Sequence, residues 1–389
     1  MRKGWEYKKL GEVCEVVTGT TPKTNIPEYW GKGHYWVTPA ELNDTTVYID
    51  KTERQITDEA LSKTKLRLLP VGTVLLSSRA PIGKVAIANA EMYCNQGFKN
   101  CICSEAIYNK YLFYFLRLKK DYLNSLGRGA TFKEISKSIV ESIKIPLPPQ
   151  STQLAIVSEL DKINELIRLK KEQLKDFDNL AQSLFYEMFG DPVENEKGWE
   201  VKKLGELLKV IGGYAFKSDK YKDEGIPILR IGNINSGFFR DTNLVFAESD
   251  EKLERYKIFP GDIVISLTGT VGKSDYGNVC IMDNAYNFYY LNQRNAKLEI
   301  FGNLDKYYLS AILKNEVIKS RLTSISRGVR QANIANKDIE NLQIPLPPLS
   351  LQQLFAQRIE QIEREKSEVQ KSIQDLETLL ASRMQYWFE

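Results

Sequence analysis

Apolar residues recur at alternating steps of three and four along a segment that follows residue 149. Residues 150–189 contain neither proline nor glycine. This spacing predicts one long helix with an apolar seam that packs against a partner helix, as in a coiled coil. The predicted seam consists of Ile156, Leu160, Ile163, Ile167, Leu174, Phe177, Ala181, Leu184 and Met188, with Lys170 as a polar break.

The same pattern returns at the carboxyl-terminal end of the chain. The second predicted seam consists of Phe355, Ile359, Ile362, Val369, Ile373, Leu376, Leu380 and Trp387, with polar breaks at Lys366 and Arg383. A helix of about 40 residues is about 60 Å long. We expect the two seams to pack on each other with the helices antiparallel, so that they act as a spacer between the regions that precede them.

Those two regions are copies of one module. GWEYKKLGEVCEVVTG begins at Gly4 and GWEVKKLGELLKVIGG at Gly198, and IPLPP occurs at Ile145–Pro149 and Ile344–Pro348. A period of about 195 residues is far longer than the roughly 20 to 50 residues of a solenoid repeat. The sequence therefore predicts a module at residues 1–150, a helix at 151–190, a second module at 191–348 and a second helix at 349–389.

The composition is that of an ordinary globular protein, with 42% apolar and 27% charged residues. The apolar runs are far shorter than the roughly 20 residues of a membrane span, and no secretory signal is recognisable. Five cysteines without CxxC spacing favour a reducing cytoplasm over a disulfide framework. The single histidine, His34, argues against a multi-histidine metal site. We therefore predict a cytoplasmic protein with no membrane association.

Positive charge is concentrated in the first module. Residues 1–150 carry 22 Lys and Arg against 15 Asp and Glu, which gives +7. Residues 191–348 carry 22 against 21, and each predicted helix carries 5 against 7. The first module is thus suited to a polyanion such as nucleic acid, and the slightly acidic helices are better suited to protein partners.

Candidate catalytic and metal sites are weak. TGTVGKS at Thr268–Ser274 is too short for a Walker A loop, so we predict a strand at Ile263–Ser266 and a tight turn. Cys101 and Cys103 lack further ligands at zinc-site spacing, which favours buried thiols on a strand. Neither a dinucleotide fingerprint nor a methyltransferase tetrapeptide such as NPPY is present. We therefore expect no catalytic residues, no bound cofactor and no metal.

Polar and basic residues in loops form the remaining candidate site. The first module offers Arg79, Lys84, Gln96, Lys99, Arg128 and Lys133, and the second Arg230, Asn233, Asn235, Thr268, Thr270, Lys273, Gln293, Arg294, Arg327, Arg330 and Gln331. Arg, Lys, Asn and Gln are the side chains that read guanine and adenine edges, although any single one of them is more often a solvated surface residue. The modules share a framework and differ in these loops, as expected for two modules that read different DNA half-sites.

On these features the sequence resembles the DNA-specificity subunits of type I restriction–modification systems. The resemblance rests on W-x-x-K-x-L-G-E at Trp5 and Trp199, a G-D/T-I/V strand followed by GK, a Gly/Arg turn, and IPLPP leading into a long helix. These motifs occur twice and in the family's order. Family members often carry Glu-Gln after the PLPP turn, where this chain has Thr152–Gln153 and Gln352–Gln353.

The resemblance implies an α+β fold in which two similar mixed α/β target-recognition domains are separated by two long antiparallel helices that form a coiled coil. It implies a non-catalytic subunit that binds double-stranded DNA with a bipartite target. Two modification subunits would methylate adenine, and restriction subunits would cleave the DNA. S-adenosylmethionine, ATP and Mg would bind only to those partners. The alternatives are a fused methyltransferase, whose motifs are missing, and a protein-only scaffold built on the coiled coil.

Overall fold

Two compact units make up the chain. The structure, a computed structural model, describes residues 5–79, 81–129, 133–235, 237–270, 275–324 and 331–389, with only the backbone described at residue 331. One unit consists of Met1–Lys171 with Lys371–Glu389, and the other of Glu172–Gln370. Each unit spans one predicted module and part of each long helix, and the predicted module boundaries stay predictions.

The first repeat leads directly into a 40-residue helix. Its strands are β1 (Glu6–Lys9), β2 (Cys14–Thr18), β3 (Trp30–Val37), β4 (Tyr48–Ile49), β5 (Gln55–Ile56), β6 (Val74–Leu76), β7 (Val85–Ala88), β8 (Tyr93–Cys94), β9 (Lys99–Cys103) and β10 (Lys144–Leu147). Its helices are α1 (Leu10–Val13), α2 (Asp58–Lys63), α3 (Asn109–Leu118), α4 (Lys120–Ser125), α5 (Lys137–Ser142) and the long α6 (Gln150–Phe189).

The second repeat has a similar order of elements. Its strands are β11 (Glu200–Lys203), β12 (Leu208–Gly212), β13 (Ile226–Leu229), β14 (Phe246–Ala247), β15 (Lys257–Ile258), β16 (Ile263–Ser266), β17 (Thr268–Thr270), β18 (Val279–Ile281), β19 (Tyr289–Leu291), β20 (Asn295–Ile300), β21 (Gln331–Asn333) and β22 (Gln343–Leu346). Its helices are α7 (Lys306–Lys314), α8 (Glu316–Thr323), α9 (Asn336–Glu340) and the long α10 (Leu349–Phe388). The strand predicted at Ile263–Ser266 is confirmed as β16.

A five-stranded sheet of order β2-β9-β6-β7-β4 separates two cores in the first unit. Successive strand residues point to opposite faces. Val74 and Leu76 therefore join the core that contains α3, whereas Leu75 joins a core with Val37 and Cys94 of the three-stranded sheet β5-β3-β8. The short apolar runs of the sequence are strands that are buried on both faces.

The second unit is built in the same way. Its sheet of order β12-β20-β16-β18 places Ile263 and Ile265 in the core that contains α7. Val264 faces the other way and packs with Leu229 and Leu291, which belong to the sheet of order β14-β13-β19-β15. In both repeats the two shared motifs meet, because β1 pairs with β10 and β11 pairs with β22.

In the first unit the amino-terminal part of α6 packs against the carboxyl-terminal end of α10. Glu159 Oε2 accepts hydrogen bonds from Arg383 Nη2 at 3.1 Å and from Trp387 Nε1 at 3.0 Å. Lys171 Nζ lies 2.7 Å from Glu377 Oε1. Because the later α6 residue meets the earlier α10 residue, the helices are antiparallel in this unit.

The second unit pairs the remaining parts of the two helices. Lys366 Nζ lies 2.8 Å from Asp178 Oδ1, and the rings of Phe189 and Phe355 are 5.2 Å apart between centroids. These helix segments are therefore antiparallel too. Lys366, a predicted polar break in the seam, forms an ion pair with Asp178 on the other helix. Arg383, the other break, forms one with Glu159 in the first unit.

The predicted seam residues lie inward on both helices. Each of the following is buried or half-buried: Ile156, Leu160, Ile163, Ile167, Leu174, Phe177, Leu184, Phe355, Ile359, Ile362, Val369, Ile373, Leu376 and Leu380. The predicted fold class, two similar mixed modules with two long antiparallel helices, is confirmed. None of the described helices is both long enough and apolar enough to cross a membrane.

A buried glutamine fixes the start of each long helix. Gln153 Nε2 donates to the carbonyl oxygen of Pro148 at 3.0 Å, and Gln352 Nε2 donates to that of Pro347 at 2.8 Å. Gln153 therefore corresponds to Gln352. The sequence comparison above sets Gln153 beside Gln353, which is wrong by one residue. The spacing from the PLPP turn decides which glutamine side chain points inward.

Candidate nucleic-acid interface

Two parallel strands of the first unit end side by side. β3 and β8 place Val37 opposite Cys94, so their carboxyl ends share one edge. Asn95 follows β8, and its N–H donates to the carbonyl oxygen of Val37 at 3.2 Å. The Oδ1 of Asn95 accepts a hydrogen bond of 2.9 Å from the N–H of Gly97. This tight turn holds Gln96 in an exposed position.

An open depression of about 340 Å³ adjoins this turn. It is lined in part by Arg79 and Lys84, two of the residues predicted to contact DNA. The Lys84 ammonium donates to the carbonyl oxygen of Pro39 at 2.9 Å, which fixes its position. We define the first edge as Arg79, Lys84, Asn95, Gln96 and Gly97.

The second unit repeats this arrangement with different side chains. β13 and β19 run parallel and place Leu229 opposite Leu291. Asn292 follows β19, donates its N–H to the carbonyl oxygen of Leu229 at 3.3 Å, and accepts from the N–H of Arg294 at 3.2 Å. Gln293 and Arg294 are both exposed. The recurring Asn-Gln dipeptide is thus the same turn in both repeats.

Further polar and aromatic residues lie beside the second turn. The N–H of Leu267 donates to the carbonyl oxygen of Arg294 at 2.8 Å, which brings the following residue, Thr268, next to it. Tyr214 is 41% exposed, and its N–H donates to Leu291 at 2.8 Å. We define the second edge as Tyr214, Arg230, Thr268, Gln293 and Arg294.

Both edges depend on a close backbone approach at a glycine. A β-carbon at Gly19 would lie 1.9 Å from the carbonyl oxygen of Asn95, and one at Gly213 would lie 2.2 Å from that of Asn292. Any other residue would force the turn away. Burial raises the pKa of the neighbouring Cys94 thiol to about 12, so this side chain stays neutral beneath the first edge.

One predicted DNA-contact residue, Lys99, is buried. It is 5% exposed, and its Nζ lies 2.9 Å from Oε1 of Glu134 and 3.3 Å from Oγ of Ser78. The positive charge of Lys99 is therefore paired within the first repeat. Although Lys99 is buried, its ammonium orients the carboxylate of Glu134.

Glu134 lies between two of the predicted arginines. It forms an antiparallel bridge with Arg79 on one side and with Arg128 on the other. Arg128 and Glu134 exchange both backbone N–H···O hydrogen bonds at 3.0 Å. Directly opposed residues of antiparallel strands place their side chains on the same face. The structure thus brings Arg79 and Arg128 to one face, with Glu134 in the middle. We call these three residues the ribbon.

In the second repeat, the positions equivalent to Arg79 and Glu134 carry uncharged residues. β17 and β21 pair antiparallel and place Thr268 opposite Asn333, which is exposed. Thr270, two residues further on, donates from its N–H and its Oγ1 to the carboxylate of Asp275 at 2.8 and 2.9 Å. The hydroxyl of Thr270 is therefore oriented by the protein.

Asn233 and Arg230 organise the loop that follows β13. Asn233 is 2% exposed; its Nδ2 donates to the carbonyl oxygens of Arg240 at 2.9 Å and Thr242 at 3.1 Å, and its Oδ1 accepts from the N–H of Arg230 at 3.0 Å. The guanidinium of Arg230 donates to the carbonyl oxygen of Asn243. The amide of Asn233 is thus used to hold the loop, and Arg230 is partly tied to it.

A family model for the type I restriction modification DNA specificity domain matches residues 2–176 and 196–378. The chain belongs to the family of type I restriction–modification DNA specificity subunits. The two matched segments correspond to the two repeats, so the predicted family is confirmed.

Curated specificity subunits resemble the chain over most of its length. It is 32% identical over 374 residues to the type I restriction enzyme MjaIX specificity subunit of Methanocaldococcus jannaschii, which covers 91% of this chain and 85% of that protein. It is 26% identical over 404 residues to the MjaVIII specificity subunit of the same organism, which covers 97% of this chain and 92% of that protein.

Solved structures share the fold. A chain from the structural study of complex assembly and conformational transition of the type I R-M system aligns with a TM-score of 0.63 and 21% identity, covering 99% of this chain and 97% of that one. The S subunit of a type I system from M. genitalium aligns with a TM-score of 0.56 and 16% identity, covering 99% of this chain and 96% of that one.

The predicted contact residues of this specificity subunit are thus grouped by the fold. Arg79, Lys84 and Gln96 lie at the first edge, and Arg230, Thr268, Gln293 and Arg294 at the second. Lys273, Arg327 and Arg330 lie outside the described residues. Sequence reasoning missed Glu134, Asn333 and Tyr214. Glu134 and Asn333 are each followed by an isoleucine, whose N–H donates to the carbonyl oxygen of Ser78 or Leu267. This shared isoleucine was the signal in the sequence for the first two residues.

Proposed function

We propose that each repeat reads one half of a bipartite double-stranded DNA target through its own edge. The observation that carries this proposal is the shared turn: both repeats hold Asn-Gln at the ends of two parallel strands and place different side chains around it. Hydrogen bonds to base edges specify sequence, and contacts to phosphates position the protein. A constant backbone with variable Arg, Gln and Thr side chains is suited to two different half-sites.

The chain itself carries out no chemistry in this proposal. Two modification subunits would bind S-adenosylmethionine and methylate an adenine in each half-site, and restriction subunits would use ATP and Mg to cleave DNA. The names of its relatives, specificity subunits of type I restriction enzymes, support a DNA-directing role. Among the described residues, no group of three or more His, Cys, Asp or Glu side chains is arranged to hold a metal ion.

The deciding experiment is selection of duplex DNA from a random library by the full chain assembled with its modification subunits. We expect a motif of two short specified parts separated by a fixed unspecified gap. Gly97→Arg gives the turn at residues 95–97 the sequence of residues 292–294. This substitution should change one specified part of the motif and leave the other part unchanged. A change in both parts, or in neither, would contradict one edge for each half-site.

A second measurement separates DNA reading from a protein-only scaffold. Binding of the full complex to its selected duplex should weaken steeply as salt rises, because each neutralised phosphate releases counterions. A scaffold would show no salt-dependent retention on duplex DNA. The chain alone, incubated with labelled S-adenosylmethionine and DNA, should transfer no methyl group until the modification subunits are added.

A further inference from the structure

We propose that Glu134 reads the exocyclic amino group of a cytosine in the half-site of the first repeat. The inference rests on the proposed function and assigns a base to one residue of the ribbon. A carboxylate is a hydrogen-bond acceptor, and the amino group of cytosine is the donor that Glu and Asp accept from in the major groove.

The position of Glu134 is set from both sides. Its backbone is bridged to Arg79 and to Arg128, so the three side chains share one face. Arg79 also lines the depression at the first edge, and Arg128 is exposed. Two flanking arginines are suited to phosphates or guanines. A duplex held by these two arginines would therefore pass over Glu134.

One oxygen of this carboxylate is anchored and the other is available. Oε1 lies 2.9 Å from the ammonium of the buried Lys99, while the Glu134 side chain is 40% exposed. Oε2 accepts no hydrogen bond from any side chain or backbone group in the described parts of the chain. The contact with the buried Lys99 holds one oxygen of the carboxylate in place, while the exposed part of the side chain leaves room for a base.

The second repeat keeps the same backbone arrangement without this ion pair, so the pair is not required by the shared framework. In the second repeat Ala296 lies opposite Gly212, as Lys99 lies opposite Thr18, and Asn333 takes the place of Glu134. Ala296 is fully buried without a charge. The same backbone thus carries an acceptor in one repeat and an amide in the other, and an amide reads adenine through N6 and N7.

A carboxylate at a DNA surface also has a cost that a neutral residue lacks. It repels phosphates, so its removal should strengthen non-specific binding while weakening sequence discrimination. A carboxylate with a purely structural role would change the stability of the fold and leave base preference unchanged. Base preference and non-specific affinity therefore distinguish the two roles.

The test is duplex selection by the full complex with Glu134→Gln. Glutamine keeps an acceptor for Lys99 and adds a donor, so we expect one specified cytosine to become adenine or to lose preference. The loss of discrimination at that position should be roughly 5- to 150-fold, the range of one good base contact. Affinity for non-specific duplex should rise. The surface pair Glu15–Arg67 provides the control: Glu15→Gln should change neither measurement.

A second variant covers a failure of the first to fold. Lys99→Ala with Glu134→Asn copies the residues of the second repeat and removes the buried charge together with its partner. It should also move the preference from cytosine to adenine. If the wild-type complex selects a bipartite motif and both variants select the same motif with unchanged preference, Glu134 reads no base while the proposed function stands. If the wild type selects no bipartite motif, both proposals are wrong.

Discussion

The hydroxyl of Tyr111 donates a hydrogen bond of 2.7 Å to the carbonyl oxygen of Pro146. This bond joins α3 to the strand that leads into α6. The second repeat has the same bond, from Tyr308 to Pro345 at 2.6 Å. Burial raises the pKa of Tyr308, so its hydroxyl remains a donor at neutral pH. Both prolines belong to IPLPP, so in each repeat this bond ties a core helix to the strand that leads into the long helix.

Removal of either hydroxyl should destabilise the protein by a similar amount. Tyr111→Phe and Tyr308→Phe each leave a buried carbonyl oxygen without its donor, which typically costs about 1–3 kcal/mol. Denaturant unfolding of each variant measures the loss. Tyr122 is 50% exposed, so Tyr122→Phe should be close to neutral. A large difference between the two buried variants would show that the two repeats depend on this bond unequally.

The contact between Glu159 and Arg383 should make the first unit sensitive to acid. The hydrogen bond from Arg383 holds the pKa of Glu159 below its ordinary value of 4.5, and Trp387 adds to this effect. A carboxyl whose pKa is lower in the folded state stabilises the fold above its unfolded pKa and loses that contribution as pH falls through the folded pKa. Glu159→Gln should therefore lower the melting temperature at pH 7 and cost progressively less below about pH 4.5. A difference that stays constant across this range would exclude the ionised pair as its cause.

Gly213 should tolerate no side chain. A β-carbon there would lie 2.2 Å from the carbonyl oxygen of Asn292, whereas one at Gly232 would have nothing within 4 Å. Gly213→Ala should lower the free energy of unfolding by about 1–3 kcal/mol, the usual cost of overpacking. It should also weaken the base preference in the half-site of the second repeat, as measured by duplex selection. Gly232→Ala should do neither. Normal selection by a folded Gly213→Ala variant would show that this turn does not set specificity.

The sequence predicted the repeats and helices well because these depend on periodic patterns and duplicated motifs. Apolar steps of three and four place Ile156 and Phe355 inward whatever the surrounding residues are. The candidate site was predicted less completely because hydrogen-bond partners distant in sequence decide it. Nothing local to Asn233 indicates that Arg240 and Thr242 use its amide, and nothing local to Lys99 indicates that it is buried beside Glu134.

Arg294 should contribute to one half of the target only. It is exposed in the turn after β19, and Oδ1 of Asn292 accepts a hydrogen bond from its N–H, so its backbone is held while its side chain lies at the surface. Loss of a bidentate arginine–guanine contact costs about 1–3 kcal/mol of discrimination. Arg294→Ala should therefore relax or weaken the second half-site and spare the first, as measured by duplex selection with the full complex.

A matched variant separates base reading at Arg294 from simple charge attraction. Arg321→Ala removes the same charge from α8 of the same unit. If Arg294 contacts only phosphates, its loss should weaken binding to all sequences uniformly and reduce the salt slope by about one unit. If it reads a guanine, the effect should fall on one position of one half-site, and Arg321→Ala should leave that position unchanged. Equal losses in both half-sites of a folded Arg294→Ala variant would rule out base reading, because the first repeat carries Gly97 at the equivalent place in its turn.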